Sequence, residues 1–210
     1  MASTAAQLRR SQTSRRADSH ALILDAAVDL LVERGYGGTT TVAIQERSGV
    51  TRGRLLHHFP SRDALVVAAV HHLADQRIAE MERWFEHTAD RNPGGGARVD
   101  RAVGQLWNTF RQPYFWAAME LWNAARTDDG VRRELAASER RLGRAIEHVV
   151  ATMFGPVHSS HPAFDDVRDV LFTSMRGVAL TYSFVERDPA TDPHLALWRS
   201  LARRLLGVDA

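Results

Sequence analysis

The spacing of the apolar residues constrains the fold of this chain more than any other feature. They recur at steps of three and four residues almost throughout, which is the period of an amphipathic helix. The alternating pattern of a strand is nearly absent, and clusters of Gly and Pro only separate long helical runs. The sequence therefore predicts an all-α protein.

Signals for helix starts and stops divide the chain into segments. Ser and Thr favour helix starts because their side-chain oxygens accept hydrogen bonds from free backbone N–H groups, and Gly favours helix ends. Residues 1–19 are polar and rich in Arg, so we expect a flexible arm there. The predicted helices cover about residues 20–34, 40–48, 51–58, 62–90, 99–111, 114–125, 130–155, 162–187 and 193–206.

Composition excludes several classes of protein. The 210 residues include no cysteine, so disulfides and thiolate metal sites are excluded. No stretch has the roughly 18 uncharged apolar residues that a membrane span requires, and the N-terminus lacks the apolar core of a signal peptide. We therefore expect a soluble, cytoplasmic protein that needs no cofactor and has no membrane partner.

A basic pair of short helices between Thr39 and Leu65 is the most informative part of the sequence. A short helix, a turn at Ser48–Val50 and a second short helix follow one another, which is the arrangement of a helix-turn-helix. From Arg47 to Arg62 the chain has four Arg, two His and no acid, which suits a helix that faces DNA phosphates. A solvated basic face on a structural helical hairpin is the alternative reading.

This stretch resembles the N-terminal signature of the TetR family of transcriptional regulators. The resemblance covers residues 20–66 and includes the preceding helix, ILDAAVDLLVERGY. It implies a helix-turn-helix DNA-binding domain at 20–66, followed by a helical effector-binding and dimerisation domain at 67–210. The signature falls on Thr39, Thr40, Ile44, Gln45, Ser48, Gly49, Val50, Thr51, Gly53, Leu55, Leu56, His57, His58, Phe59, Ser61, Arg62, Asp63 and Leu65.

The resemblance implies that the helix opened by Thr51 is the recognition helix, with Leu55 and Phe59 in the core. Leu56 departs from the family pattern, because it replaces a tyrosine that commonly reaches the DNA backbone. Gln45 and Ser48 depart as well, since they stand where alanines usually occur. The implied DNA-contacting residues are Thr40, Thr51, Arg52, Gly53, Arg54, His57 and Arg62.

The family architecture implies a homodimer that binds palindromic operator DNA. It also implies a cavity for a small-molecule effector. The last two helices, about 162–187 and 193–206, have near-heptad apolar spacing and could form a four-helix bundle with their copy, although intramolecular packing alone explains the spacing equally well. The aromatic content favours an apolar or aromatic effector, while such residues are more often plain core. The candidate effector-binding residues are Trp84, Trp107, Phe110, Phe115, Met119, Glu120, Trp122 and Asn123.

Glu120 is unusual because it lies on an otherwise apolar helix. If it is buried, its carboxylate needs a partner, and Arg111, Arg126, Arg144 or a cationic group of a ligand would serve. An internal ion pair with one of these arginines is the favoured interpretation.

No catalytic or metal-binding constellation is found in the sequence. His71 and Asp75 are four residues apart on a predicted helix, but no third ligand accompanies them. The sequence also lacks a phosphate-binding loop and a nucleophile elbow, so we expect no enzyme. The alternative function is a helical protein-interaction module that uses its apolar C-terminal helices and is indifferent to duplex DNA.

Overall fold

The computed structural model describes residues 2–87 and 94–208 and, within the helices, all side chains except those of residues 2–17, 84–87, 137 and 138. The described part is helical and contains no strand, which confirms the all-α prediction. The elements are α1 (Ala2–Gly38), α2 (Thr41–Ser48), α3 (Arg52–His58), α4 (Arg62–His87), α5 (Gly96–Thr109), α6 (Pro113–Ala125), α7 (Asp129–Ser159), α8 (Phe164–Thr181), a 3-10 turn (Pro189–Thr191) and α9 (His194–Leu205).

The first helix begins earlier than the sequence pattern predicts. The spacing places its start near His20, after a flexible arm, whereas α1 begins at Ala2. Residues 2–34 contain neither Gly nor Pro and are rich in Ala, Leu and Arg, which are strong helix formers. The predicted stop at Gly35 is confirmed, because this residue leaves the helical conformation with φ 66° and ψ −178°.

Local capping defines the two short helices that follow. Thr40 caps α2, and its Oγ1 accepts a hydrogen bond from the N–H of Ala43 at 3.1 Å. Gly49 ends α2 in the left-handed conformation, with φ 68°. At the start of α3 the carbonyl of Thr51 accepts a hydrogen bond from the N–H of Leu55 at 3.0 Å.

The chain forms two compact units. The first comprises Met1–Asp75 and Trp116–Arg140, and the second comprises Gln76–Phe115 and Arg141–Ala210. The division between them falls within α4, α6 and α7. The functional boundary at residue 66 is of a different kind, because it concerns where DNA and effector bind, and it stays a prediction.

The core of the first unit is built from the N-terminal helices together with α6. Ile23 of α1 and Ile44 of α2 are fully buried, and Leu55 of α3 is nearly so. Ala117 and Leu121 of α6 belong to the same buried cluster. Each fully buried large aliphatic side chain contributes about 1.5–3 kcal/mol, so the short helix α3 depends on this cluster more than on its own hydrogen bonds.

Two tryptophans lie at the centre of the second unit. Trp107 of α5 and Trp198 of α9 are 1% exposed, with ring centroids 4.9 Å apart. Each indole nitrogen has an acceptor: that of Trp107 donates to the carbonyl of Pro189 at 2.7 Å, and that of Trp198 to the hydroxyl of Ser174 at 2.9 Å. Their burial therefore leaves no indole N–H unsatisfied.

Candidate functional site

The exposed face of α3 carries most of the residues that the sequence assigns to DNA contact. Leu55 and Phe59 are 2% and 5% exposed, as predicted, and they hold the helix on the core of the first unit. The opposite face is left in solvent, as required of a helix that enters a DNA groove. The assigned residues of this motif that are exposed are Thr51, Arg52, Gly53, Arg54 and His57, together with Thr40 at the cap of α2.

The arginines of the motif differ in how firmly the chain itself holds them. Arg47 forms a two-point ion pair with Glu33, at 2.7 and 2.6 Å, and this hydrogen bonding lowers the pKa of the Glu33 carboxyl. Arg54 donates from Nη1 to the hydroxyl of buried Ser19 at 3.1 Å. Within the described residues Arg52 makes no bond of this kind, so its guanidinium is available to a partner outside the chain.

Two residues that depart from the family pattern have defined places. Leu56 is 51% exposed, so an apolar side chain faces outward where the family has a phenol. The hydroxyl of Ser48 donates to the carbonyl of Gln45 at 3.4 Å and accepts the N–H of Val50 at 3.3 Å. Ser48 therefore stabilises the turn between α2 and α3, a role that alanine could not fill.

Arg62, which the sequence assigns to a phosphate contact, is held inside the first unit. Its Nε donates to the carbonyl of Thr39 at 2.7 Å, and its Nη2 donates to the carbonyl of Tyr36. Its guanidinium carbon lies 4.0 Å from the centre of the Tyr36 ring. The hydroxyl of Tyr36 donates to Asp63 at 2.6 Å, so the start of α4 is joined to the end of α1.

Glu120 of α6 reaches the same place. Its Oε2 accepts the backbone N–H of Tyr36 at 2.9 Å. The carboxylate is so close to Gly35 that a Cβ there would lie 2.8 Å from Oε2. The partner of Glu120 is therefore a backbone N–H and not one of the three arginines considered from the sequence. We call Tyr36, Arg62, Asp63 and Glu120 the Tyr36 cluster.

The electrostatics of the Tyr36 cluster keep its hydrogen bonds in place. Burial, together with the hydrogen bond to Asp63, raises the pKa of the Tyr36 phenol above its ordinary value. The phenol therefore stays protonated at physiological pH and keeps donating to the carboxylate. Glu120 could not have been paired with Tyr36 from the sequence, because 84 positions separate the two residues.

The residues that the sequence assigns to an effector site are divided between the two units. In the second unit Trp107, Phe110 and Phe115 are buried, and Phe110 packs edge-on against Phe115 and Phe172, at 5.3 and 5.5 Å between centroids. The assigned residues in the first unit differ in burial. Met119 and Trp122 are half-buried, Asn123 is exposed, and Glu120 belongs to the Tyr36 cluster. The side chain of Trp84 lies outside the described residues.

A cavity of about 250 Å³, which we call the polar cavity because several polar side chains contribute to its lining, opens in the second unit. None of the eight assigned effector residues lines it. Its lining residues, all polar except Met81, lie on α4, on α5 and around the start of α6. They show no common motif in the sequence and come together only on folding. They are Arg77, Glu80, Met81, Gln105, Asn108, Thr109, Gln112 and Tyr114.

The last two helices carry one buried and one exposed apolar face. The near-heptad positions Phe164, Val167, Leu171 and Met175 of α8 are buried in the second unit, which supports intramolecular packing for that face. A second row on α8 and just beyond it, at steps of three and four residues, is exposed. It consists of Val170, Thr173, Gly177, Leu180 and Phe184, and α9 adds exposed Leu197 and Leu205.

Neither a membrane-spanning helix nor a metal site is found in the part of the chain that the structure describes. No described helix is long and apolar enough to cross a lipid bilayer. Among the same residues, no cluster of three or more His, Asp or Glu side chains is suited to hold a metal ion.

Comparisons with known proteins agree with the geometry of α2 and α3. Residues 23–69 match the family model for bacterial regulatory proteins of the tetR family. The HTH-type transcriptional repressor Rv3405c of Mycobacterium tuberculosis is 32% identical over 155 residues, which cover 70% of this chain and 76% of that protein. The HTH-type transcriptional regulator CymR of Pseudomonas putida is 27% identical over 175 residues, covering 82% and 83%.

A solved structure extends the likeness in fold to nearly the whole chain. A transcriptional regulator from Saccharomonospora viridis, crystallised with choline, has a TM-score of 0.63 at 15% identity and covers 92% of this chain and 97% of its own. The helix-turn-helix, the all-helical fold and the matches to these relatives thus agree. This chain belongs to the TetR family of bacterial transcriptional regulators.

Proposed function

We propose that this protein is a transcriptional repressor that binds a palindromic operator in the cytoplasm as a homodimer and is released by a small apolar or aromatic effector. The observation that carries the proposal is the exposed polar face of α3, fixed on a packed core by Leu55 and Phe59. The name of the relative from Mycobacterium tuberculosis supports repression as the direction of control.

Gly53 supports close approach of α3 to DNA. A Cβ at this position would meet no other described atom within 4 Å, apart from its own helix and chain neighbours. Packing within the chain therefore does not require glycine, although glycine in a helix costs about 1 kcal/mol relative to alanine. A bound duplex would occupy the open space and account for the absence of a side chain.

The test of base reading compares the two arginines of α3. Arg52→Ala is expected to reduce discrimination between operator and scrambled duplex by about 1–3 kcal/mol, because its guanidinium is available to a guanine edge. Arg54→Ala is the matched control and is expected to weaken both duplexes more evenly, since Ser19 holds that side chain. Fluorescence anisotropy with both duplexes across a salt series measures this difference.

Two results would contradict this assignment. Equal losses of affinity for operator and scrambled duplex in Arg52→Ala would mean that Arg52 contacts only the DNA backbone. Binding by the wild-type protein that is weak, insensitive to salt and indifferent to sequence across genomic fragments would reject DNA recognition itself and favour a protein-interaction module.

The exposed row on α8 and α9 supports dimerisation through the C-terminal helices. Val170, Leu180 and Leu197 are 45%, 40% and 61% exposed, which places large apolar side chains in water on both helices. Gly177 lies in the middle of the row and allows the backbones of two helices to approach closely. A second copy of the chain would bury this face in a two-fold symmetric contact.

The dimer test uses Leu180→Asp combined with Leu197→Asp. Each buried leucine contributes about 1.5–3 kcal/mol, so the double variant is expected to be monomeric at micromolar concentration. Multi-angle light scattering gives the mass directly. Val157→Asp is the control, because Val157 is 56% exposed on α7 and is expected to leave the dimer intact. A dimer that persists in the double variant would place the interface elsewhere.

The Tyr36 cluster supports a route from effector to DNA. Glu120 lies on α6 and binds the end of α1, while Arg62 and Asp63 begin α4. We infer that an effector which displaces α6 changes the position of Glu120 and thereby the orientation of α1 and α4. In a dimer this would alter the separation of the two recognition helices, at a coupling free energy of about 1–3 kcal/mol.

A further inference from the structure

The side chains that line the polar cavity of the second unit differ in chemistry from the aromatic residues assigned to an effector. We propose that it binds a small hydrophilic molecule of zero net charge, either a zwitterion or a polyol. That this molecule regulates DNA binding rests on the proposed function, whereas binding itself does not. The site is separate from the aromatic residues that the sequence assigns to an effector.

The charges of the lining favour a ligand without net charge. Arg77 Nη1 and Glu80 Oε2 form an ion pair at 2.6 Å, with 45% and 51% of their side chains exposed. A ligand anion attracted to Arg77 would also face the carboxylate of Glu80, and a ligand cation would face the guanidinium. A zwitterion can bind both groups at once, and a polyol can leave the pair intact while it bonds to either side.

The remaining lining is rich in neutral hydrogen-bonding groups. Gln105, Asn108 and Gln112 bring three carboxamides, each with a donor and an acceptor end. Thr109 adds a hydroxyl, and burial raises the pKa of Tyr114 to about 12, so its phenol remains neutral. An apolar ligand would remove the carboxamides of Gln105 and Gln112 from water without replacing their hydrogen bonds, which is unfavourable.

The size of the cavity limits the ligand further. Its volume of about 250 Å³ is slightly below the range of about 300–1,000 Å³ that holds drug-sized ligands. Molecules of the size of a free amino acid or a sugar alcohol fit this volume. Met81 and the ring of Tyr114 offer apolar contacts for a short carbon chain.

Isothermal titration calorimetry on the full-length protein tests the proposal with defined probes. The zwitterions are glycine, L-serine, L-glutamine and glycine betaine, and the polyols are glycerol, xylitol, mannitol and glucose. Acetate, putrescine and indole represent an anion, a cation and an apolar molecule. We expect at least one neutral hydrophilic probe to bind with a Kd below about 1 mM and more tightly than any of those three.

Three variants place the binding in this cavity and separate the two ligand types. Gln105→Leu is expected to weaken either type at least tenfold. Arg77→Gln is expected to weaken a zwitterion at least tenfold and a polyol less than threefold. Arg83→Gln is the matched control on α4, because Arg83 is exposed and does not line the cavity. Circular dichroism of each variant checks that it is folded.

The outcomes decide the proposal without reference to DNA. It is overturned if no neutral hydrophilic probe binds, if acetate, putrescine or indole binds more tightly, or if Gln105→Leu leaves affinity unchanged. Anisotropy with operator DNA then tests regulation separately. A probe that binds in the cavity but leaves operator affinity unchanged supports the site and rejects only its regulatory role, whereas loss of operator recognition by the wild-type protein would reject the proposed function.

Discussion

Gly35→Ala is expected to lower the free energy of unfolding by about 2–5 kcal/mol and to weaken operator binding strongly. Gly35 has φ 66° and ψ −178°, a region that is essentially restricted to glycine, and the backbone strain alone costs about 1–3 kcal/mol. The new Cβ would also lie 2.8 Å from Glu120 Oε2. The carboxylate would have to withdraw and leave the N–H of Tyr36 without its acceptor, at about 1–3 kcal/mol.

Gly37→Ala is the matched control for this prediction. It lies two positions further along, has no positive φ, and a Cβ there would meet nothing within 4 Å. Urea denaturation followed by circular dichroism is expected to show a neutral or slightly stabilising effect for Gly37→Ala. Equal stability of the two variants would contradict the strain and the contact with Glu120 together.

A double-mutant cycle with Glu120→Ala separates strain from contact. If the carboxylate contact matters, Gly35→Ala should cost less in the Glu120→Ala background than in the wild-type protein, because nothing remains to be displaced. If the costs simply add, backbone strain accounts for the whole effect, and Glu120 does not connect α6 to α1 in the way that the Tyr36 cluster implies.

Local rules explain why the sequence predicted the helix-turn-helix well. Thr40 at the cap of α2, Gly49 at its end and Leu55 on the inner face of α3 act over one or two helical turns. Such signals depend on neighbours in the chain and are therefore visible in the sequence. The start of α1 was missed because polar composition indicated an arm, whereas the absence of Gly and Pro permitted a helix.

Long-range pairings explain what the sequence could not provide. Glu120 and Tyr36 are 84 positions apart, and the residues of the polar cavity come from two separate stretches of sequence, 77–81 and 105–114. The two faces of α8 have similar apolar spacing, so the pattern alone could not distinguish the row that packs inward from the row that remains exposed. Trp107 and Phe110 pack against other aromatic rings of their own unit, a long-range arrangement that the sequence did not show, and their role in effector binding stays a prediction.

Arg62→Ala is expected to lower the free energy of unfolding by about 2–3 kcal/mol, because hydrogen bonds from a charged group to the carbonyls of Tyr36 and Thr39 would be lost. The same change is expected to leave the salt dependence of DNA binding unaltered. A direct phosphate contact predicts the opposite pattern, in which stability hardly changes and the slope of log K against log salt falls by about 1.

Arg62→Lys provides the decisive comparison between these two roles. Lysine keeps the positive charge but lacks the planar, forked guanidinium that reaches two carbonyls and stacks on the Tyr36 ring. If Arg62 acts within the Tyr36 cluster, the lysine variant should be nearly as unstable as the alanine variant. If Arg62 contacts phosphate, lysine should restore most of the affinity and the salt slope. Urea denaturation and anisotropy on the same three proteins separate the two outcomes.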